Sequence, residues 1–118
     1  MNDIERFVAG SGNIYEDLGF DDPEGEQAKA DLAIEIIKVI RSRDLTQQQA
    51  AEIMGIRQPK VSRIMRGRLD GISQDALIGF LRNLGQNIEV TVSPPEPVSN
   101  GTAPHRGSLV IRGHALGK

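Results

Sequence analysis

The sequence predicts an all-α fold, and three observations carry that prediction. Apolar residues recur at three- and four-residue spacing from about Gly25 to Leu84. Thr46 and Ser73 stand where helices need N-caps, and Gly55, Gly67 and Gly85 stand where helices need stops. Only residues 87–92 show the period of a strand.

Taken in order, residues 1–24 are rich in Gly and Asp, with one short amphipathic stretch, and are expected to form an acidic, weakly structured arm. From about Gly25 the pattern turns helical, with Ala28, Leu32, Ile36, Val39 and Ile40 on one stripe and Ala33 and Ile37 widening it. Lys38, Arg41 and Arg43 place cations at its C-terminal end, where the helix dipole favours them. Asp44-Leu45 interrupts, and Thr46 caps a second helix that ends near Gly55. A third starts near Gln58-Pro59, since Pro is tolerated in a first turn, and runs to about Met65. Ser73 caps a fourth, with Asp75 in its first turn and Ala76, Leu77, Phe80, Leu81 and Leu84 as its inner face.

Beyond Gly85, Ile88, Val90 and Val92 alternate with Glu89 and Thr91, a short strand assigned to residues 86–93. No second strand exists in the sequence to pair with it, so its edge is expected to meet the same edge of a twin chain across a two-fold axis. Pro94, Pro95, Pro97, Gly101 and Pro104 then mark residues 94–118 as a disordered, Pro- and Gly-rich tail. Leu109, Val110 and Ile111 within it are too few to build anything alone.

Composition bounds the function. At 118 residues the chain holds one domain, and with no Trp, one Tyr and three Phe its core is expected to span only ~60–70 residues. It contains no Cys, which removes disulfides, thiolate zinc sites and cysteine nucleophiles. No apolar run approaches ~18 residues and the first residues lack a signal-peptide layout, so a cytoplasmic, nucleoid-associated protein without membrane contact is expected. An enzyme is not expected. The two histidines, His105 and His114, lie in the tail without a ligand set, the carboxylates of residues 16–26 lack calcium-loop spacing, and no phosphate-cradling glycine loop precedes a helix. No cofactor or metal is expected.

The net charge of −2 conceals a strong division. Residues 1–35 hold ten acids against Arg6 and Lys29, a net of −8, whereas residues 36–68 hold eight cations against Asp44 and Glu52, a net of +6. Nucleic-acid contact depends on such local fields rather than on the total.

The basic half contains the informative motif. Residues 46–67 read TQQQAAEIMGIRQPKVSRIMRG. Two short helices meeting at a steep angle need a small residue at their closest approach (Ala51), a glycine in the turn (Gly55) and an apolar plug after it (Ile56). They also need apolar inner faces, supplied by Ala50, Met54, Val61 and Ile64. These offsets describe a helix-turn-helix over Thr46–Arg66. In that motif the second helix lies in the major groove with its N-terminal residues at base edges, which nominates Gln58, Lys60 and Arg63. Gln matches the N6 and N7 edge of adenine, and Arg the O6 and N7 edge of guanine. Arg57, Ser62, Arg66 and Arg68 are candidates for phosphate contacts, which set register without reading sequence.

With Thr46, Gln47, Ala51, Gly55, Ile56, Gln58, Val61, Ser62, Arg63, Arg66 and Gly67 in place, the segment resembles the phage-repressor-like XRE/Cro family. The resemblance covers residues 25–85. It implies a domain of about five helices, phosphate contacts from Thr46 and Gln47, and action as a symmetric dimer on operator half-sites about one DNA turn apart. Pro59 departs from the family pattern, where a small polar residue is usual, and removes a backbone donor near the DNA.

Residues 11–20 (SGNIYEDLGF), the acidic first helix and the closing strand also resemble HigA-type antitoxins, over residues 11–92. That resemblance implies a small basic toxin of the RelE/HigB-like ribonuclease class as partner. Ile14, Tyr15, Asp17, Leu18 and Phe20 would then be the toxin-binding residues, and the chain would repress its own operon. Two alternatives stay open: a stand-alone regulator with the same DNA chemistry, and a helical module whose basic helix binds an acidic protein.

Overall fold

Helix α1 (Pro23–Ser42) begins two residues earlier than its apolar stripe suggests, because Asp22 and Pro23 define its start. The Asp22 side chain accepts a hydrogen bond from the Gly25 backbone N–H at 3.2 Å, and Pro23 occupies a position whose N–H would have no partner. The computed structural model describes residues 22–97 and 106–114. The acidic arm before Asp22, with Ile14, Tyr15, Asp17, Leu18 and Phe20, lies outside these described residues.

The buried positions of α1, from Ala28 through Leu32, Ala33, Ile36, Val39 and Ile40, follow the helical period and form its inner stripe. Lys29 is also buried, with its ammonium 3.8 Å from the exposed Glu26 carboxylate. The chain leaves α1 through Asp44, a non-glycine residue at φ 51°. It re-enters helix at α2 (Gln47–Met54), where Thr46 and Gln49 form a reciprocal capping box. The Gln49 N–H donates to Thr46 Oγ1 at 3.0 Å, and the Thr46 N–H donates to Gln49 Oε1 at 2.8 Å.

Helix α3 (Gln58–Met65) follows after a three-residue turn, and α4 (Gln74–Asn83) follows a loop anchored by Ile72, itself buried. Ser73 caps α4 by accepting from the Ala76 N–H at 3.0 Å. One apolar cluster joins all four helices: Ile36 and Val39 from α1, Ala50 and Met54 from α2, Val61 and Ile64 from α3, and Leu77 and Leu81 from α4, with Leu84 just beyond. Phe80 and Ala76, expected on the inner face of α4, are half-buried against this cluster rather than inside it. Helix α1 packs on α4 and on α3, and α2 packs on α3 and α4, so α3 has one face in the core and one left outward.

Two expectations are corrected. Four helices, not five, are present among the described residues. The helical period is used up by Leu84, and the two-residue alternation that follows cannot propagate i to i−4 hydrogen bonding with a buried face. Nor is there a strand among the described residues: 86–97 adopt no regular secondary structure. Ile88, Val90 and Val92 are 37%, 83% and 91% exposed, because the chain offers them neither a second strand nor an apolar surface.

Residues 106–114 of the Pro- and Gly-rich tail return to the domain. Ile111 is half-buried against the core cluster, and the Leu109 N–H donates to Glu24 Oε2 at 3.0 Å. No helix among the described residues is long and apolar enough to cross a membrane.

Candidate nucleic-acid interface

The outward face of α3 is set by the turn before it. Gly55 ends α2 in the left-handed conformation at φ 75°, which a β-carbon disfavours. Ile56 then folds against the core, and the Asn83 side-chain amide of α4 donates to the Met54 carbonyl at 3.1 Å, capping the C-terminal end of α2 from outside the motif. Ala51 is buried where α2 and α3 approach, and Val61 and Ile64 are fully buried beneath α3. These contacts fix the roll of α3 about its own axis, and the roll decides which side chains face out.

Facing outward at the start of α3 are Arg57, Gln58, Pro59 and Lys60. Arg57, Pro59 and Lys60 line a shallow surface depression with Ile56 and Arg63. Arg57 stands at the N-cap position without capping the helix through its side chain, and its carbonyl accepts from the Lys60 N–H at 3.0 Å, so in the first turn of α3 the Gln58 backbone N–H keeps its donor capacity for an outside acceptor. Pro59, in the first turn, contributes no such donor.

The Gln58 amide nitrogen donates to Gln47 Oε1 at 2.6 Å, joining the first residue of α3 to the first residue of α2. This bond uses one of Gln58's two N–H groups and leaves its oxygen and second N–H outward. It also leaves the Gln47 amide N–H groups available to an acceptor. Thr46 is similarly part-used: its Oγ1 accepts from Gln49, and its O–H proton remains to donate.

Arg63 is placed differently from Gln58 and Lys60. Its Nη2 donates to the Asp70 backbone carbonyl, which turns the guanidinium toward the loop after α3. Arg66 lies along its own helix, Nε donating to the Ser62 carbonyl at 3.3 Å. Arg68 is exposed in the following loop, and Ser62 is half-buried beside these groups. Between Glu52 and Asp70 the chain carries five cations (Arg57, Lys60, Arg63, Arg66 and Arg68) and no acid. The segment from α2 to the loop after α3 therefore presents five cations with no acid between them, together with amide groups able to donate and accept at once.

Ile88, Val90 and Val92 lie exposed beyond α4 and belong to none of the elements that form this face. Two contributors had no clear signal in the sequence. The Asp70 carbonyl that holds Arg63 is a backbone atom, so its role is independent of residue type. Asn83 is a polar residue at the last turn of α4, and only the packing of α4 against α2 reveals that it serves Met54.

A helix-turn-helix domain family model matches residues 14–93 of this chain. The match takes in α1 to α4 and the residues after α4 as far as 93, and it stops short of residues 106–114. Among solved structures, a protein assigned to the XRE family of transcriptional regulators is similar at 33% identity with a TM-score of 0.63. That similarity covers 76% of this chain and 100% of the other. No curated protein matches the chain.

Proposed function

Because the chain belongs to the helix-turn-helix family, with an XRE-like domain, we propose that it is a sequence-specific, dimeric repressor that reads operator DNA through the N-terminal half of α3. The observation that carries this reading is the Gln58–Gln47 hydrogen bond at the start of a segment that carries five cations and no acid. It holds a two-sided amide in one orientation at the end of the helix that enters the groove, which is the preorganisation base reading needs.

In this reading Gln58 and Lys60 address base edges directly. Arg63 joins them once its bond to the Asp70 carbonyl is exchanged for one to a base. Thr46 and Gln47 donate to one phosphate run from α2, while Arg57, Ser62, Arg66 and Arg68 hold the adjoining backbone. A single domain of this size contacts too few base pairs to specify a genomic site, so two copies are needed. Ile88, Val90 and Val92 would supply the pairing edge: an exposed segment of alternating apolar residues immediately after α4 satisfies its backbone by meeting itself in a second chain.

The finer reading is an antitoxin. Ile14, Tyr15, Asp17, Leu18 and Phe20 of the acidic arm would bind a small basic ribonuclease toxin, and the dimer would repress the operon encoding both. What supports it is the acidic charge of residues 1–35 together with the HigA-like pattern of residues 11–20. A stand-alone regulator is the second reading, favoured by the similarity to a protein assigned to the XRE transcriptional regulators. A footprint of the full chain on its own promoter tests repression. A two-fold protected site lost on Gln58→Ala supports the reading, and absence of any protected site sinks it. Co-purification with the product of the adjacent gene, abolished by Tyr15→Ala and Leu18→Ala, separates antitoxin from solitary regulator.

A further inference from the structure

Residues 106–114 lie along α1 in an ordered register. Arg106 Nη2 is 3.8 Å from Asp22 Oδ1 at the start of the helix. Three residues on, the Leu109 N–H donates to Glu24 Oε2. Ile111 then packs against the core cluster, and Gly113 lies against the Glu35 carboxylate. The segment thus runs parallel to α1, from Asp22 to Glu35. Its length fits: seven extended steps span ~23 Å, and thirteen helical residues span ~20 Å.

The chemistry of the two surfaces is complementary. From Asp22 to Glu35 the helix carries Asp22, Glu24, Glu26, Asp31 and Glu35 against Lys29 alone. The strap carries Arg106 and Arg112, and no acid occurs anywhere after Glu96. One apolar side chain, Ile111, is inserted, while Leu109 and Val110 remain 45% and 58% exposed. The surface therefore accepts an extended, basic segment with an apolar anchor.

The connection suits this closure. Arg43 Nη2 donates to Gln86 Oε1 at 3.3 Å, so the chain leaves α4 beside the C-terminal end of α1. It must then travel back along a helix of 20 residues, ~30 Å, to reach Asp22. Twenty chain steps separate Gln86 from Arg106, and at ~3.3 Å per step they reach far more than that distance.

We propose that residues 106–114 are an intramolecular ligand for the acidic face of α1, and that this strap is a built-in competitor for a basic segment of a partner protein. The competitor role rests on the reading of a basic protein partner; the docking itself does not. A partner must displace the strap, so its apparent affinity is lowered by the fraction of chains in which the groove is already filled.

The test uses the full-length chain and a fluorescein-labelled synthetic peptide of residues 104–116. In the chain carrying Arg106→Glu with Ile111→Asp, the cis strap is released and the peptide should bind in trans about ten times more tightly than to the unaltered chain. Ile111→Asp alone, which leaves Arg106 in place, should release it too. Adding Glu24→Lys and Glu35→Lys to the released chain, or raising the salt to about 0.5 M, should remove peptide binding. Equal binding to released and unaltered chains, or binding to neither, overturns the docking. The product of the adjacent gene is then titrated against the same pair. Tighter binding to the released chain supports competition, and equal binding overturns the competitor role while the antitoxin reading stands. Binding to neither removes the competitor role and the antitoxin reading together, and the peptide result still decides the docking.

Discussion

The Gln58 amide nitrogen lies 2.6 Å from Gln47 Oε1, so the first residues of the two motif helices share one hydrogen bond. The bond couples a side chain suited to read a base to one suited to hold a phosphate. A change at either end is then felt at both.

Gln47→Ala and Gln58→Ala should therefore fail to add. Loss of a bidentate base contact by Gln58→Ala is expected to weaken operator binding by about 1–3 kcal/mol. In a double-mutant cycle read by mobility shift, the pair should show a coupling of about 0.5–3 kcal/mol. Strict additivity contradicts the orienting role of Gln47.

Removing phosphate contacts has a different signature. Arg57→Ala, Arg66→Ala and Arg68→Ala should each lower affinity nearly equally on operator and non-operator DNA, and each should shallow the slope of log affinity against log salt by about 0.9. Filter binding over a range of salt measures this. A substitution that leaves the slope unchanged assigns that residue to free surface.

Gly55 has no neighbour within reach that a β-carbon would strike; its nearest atom, Asn83 Nδ2, is 4.0 Å away. Gly55→Ala should thus cost only the left-handed backbone penalty, about 1–2 kcal/mol, readable as a lower urea midpoint with an unchanged m-value. A much larger loss would show that the turn is held by packing rather than by φ.

Ile64 is fully buried where α3 meets the core. Ile64→Ala should cost about 2–5 kcal/mol, enough to unfold much of a domain of this size at ambient temperature. Far-UV circular dichroism across a thermal ramp reports it, and a near-native midpoint would place α3 outside the cooperative unit.

Val90→Asp places a charge on the proposed pairing edge while touching nothing within its own chain, where Val90 is 83% exposed. Analytical ultracentrifugation should then find a monomer with an unchanged thermal midpoint, and operator affinity should fall to that of one half-site. A persistent dimer excludes pairing through residues 87–92.

Much of the fold was legible because its determinants are local. The positions of Ala28, Leu32 and Ile36 encode a buried stripe through the helical period alone, and Thr46 and Ser73 cap helices by bonds to residues three positions away. Gly55 terminates α2 through its own φ. Segment 87–92 shows the limit of local signals: its alternation is a local property, whereas a strand exists only when another edge pairs with it, and none does within the described residues.

Local sequence encodes the four helices of the described residues, the caps Thr46 and Ser73, the turn at Gly55 and the clustering of cations around α3. Each of these depends on residues within a few positions of one another. The tertiary structure alone decided that Gln58 is held by Gln47, that Arg63 is turned to the Asp70 carbonyl, that Asn83 closes the end of α2, and that Leu109 meets Glu24 across 85 positions. Those pairings follow from the angles at which four apolar stripes interlock. Such angles are set by the shapes of many buried side chains at once, which no local stretch of sequence contains.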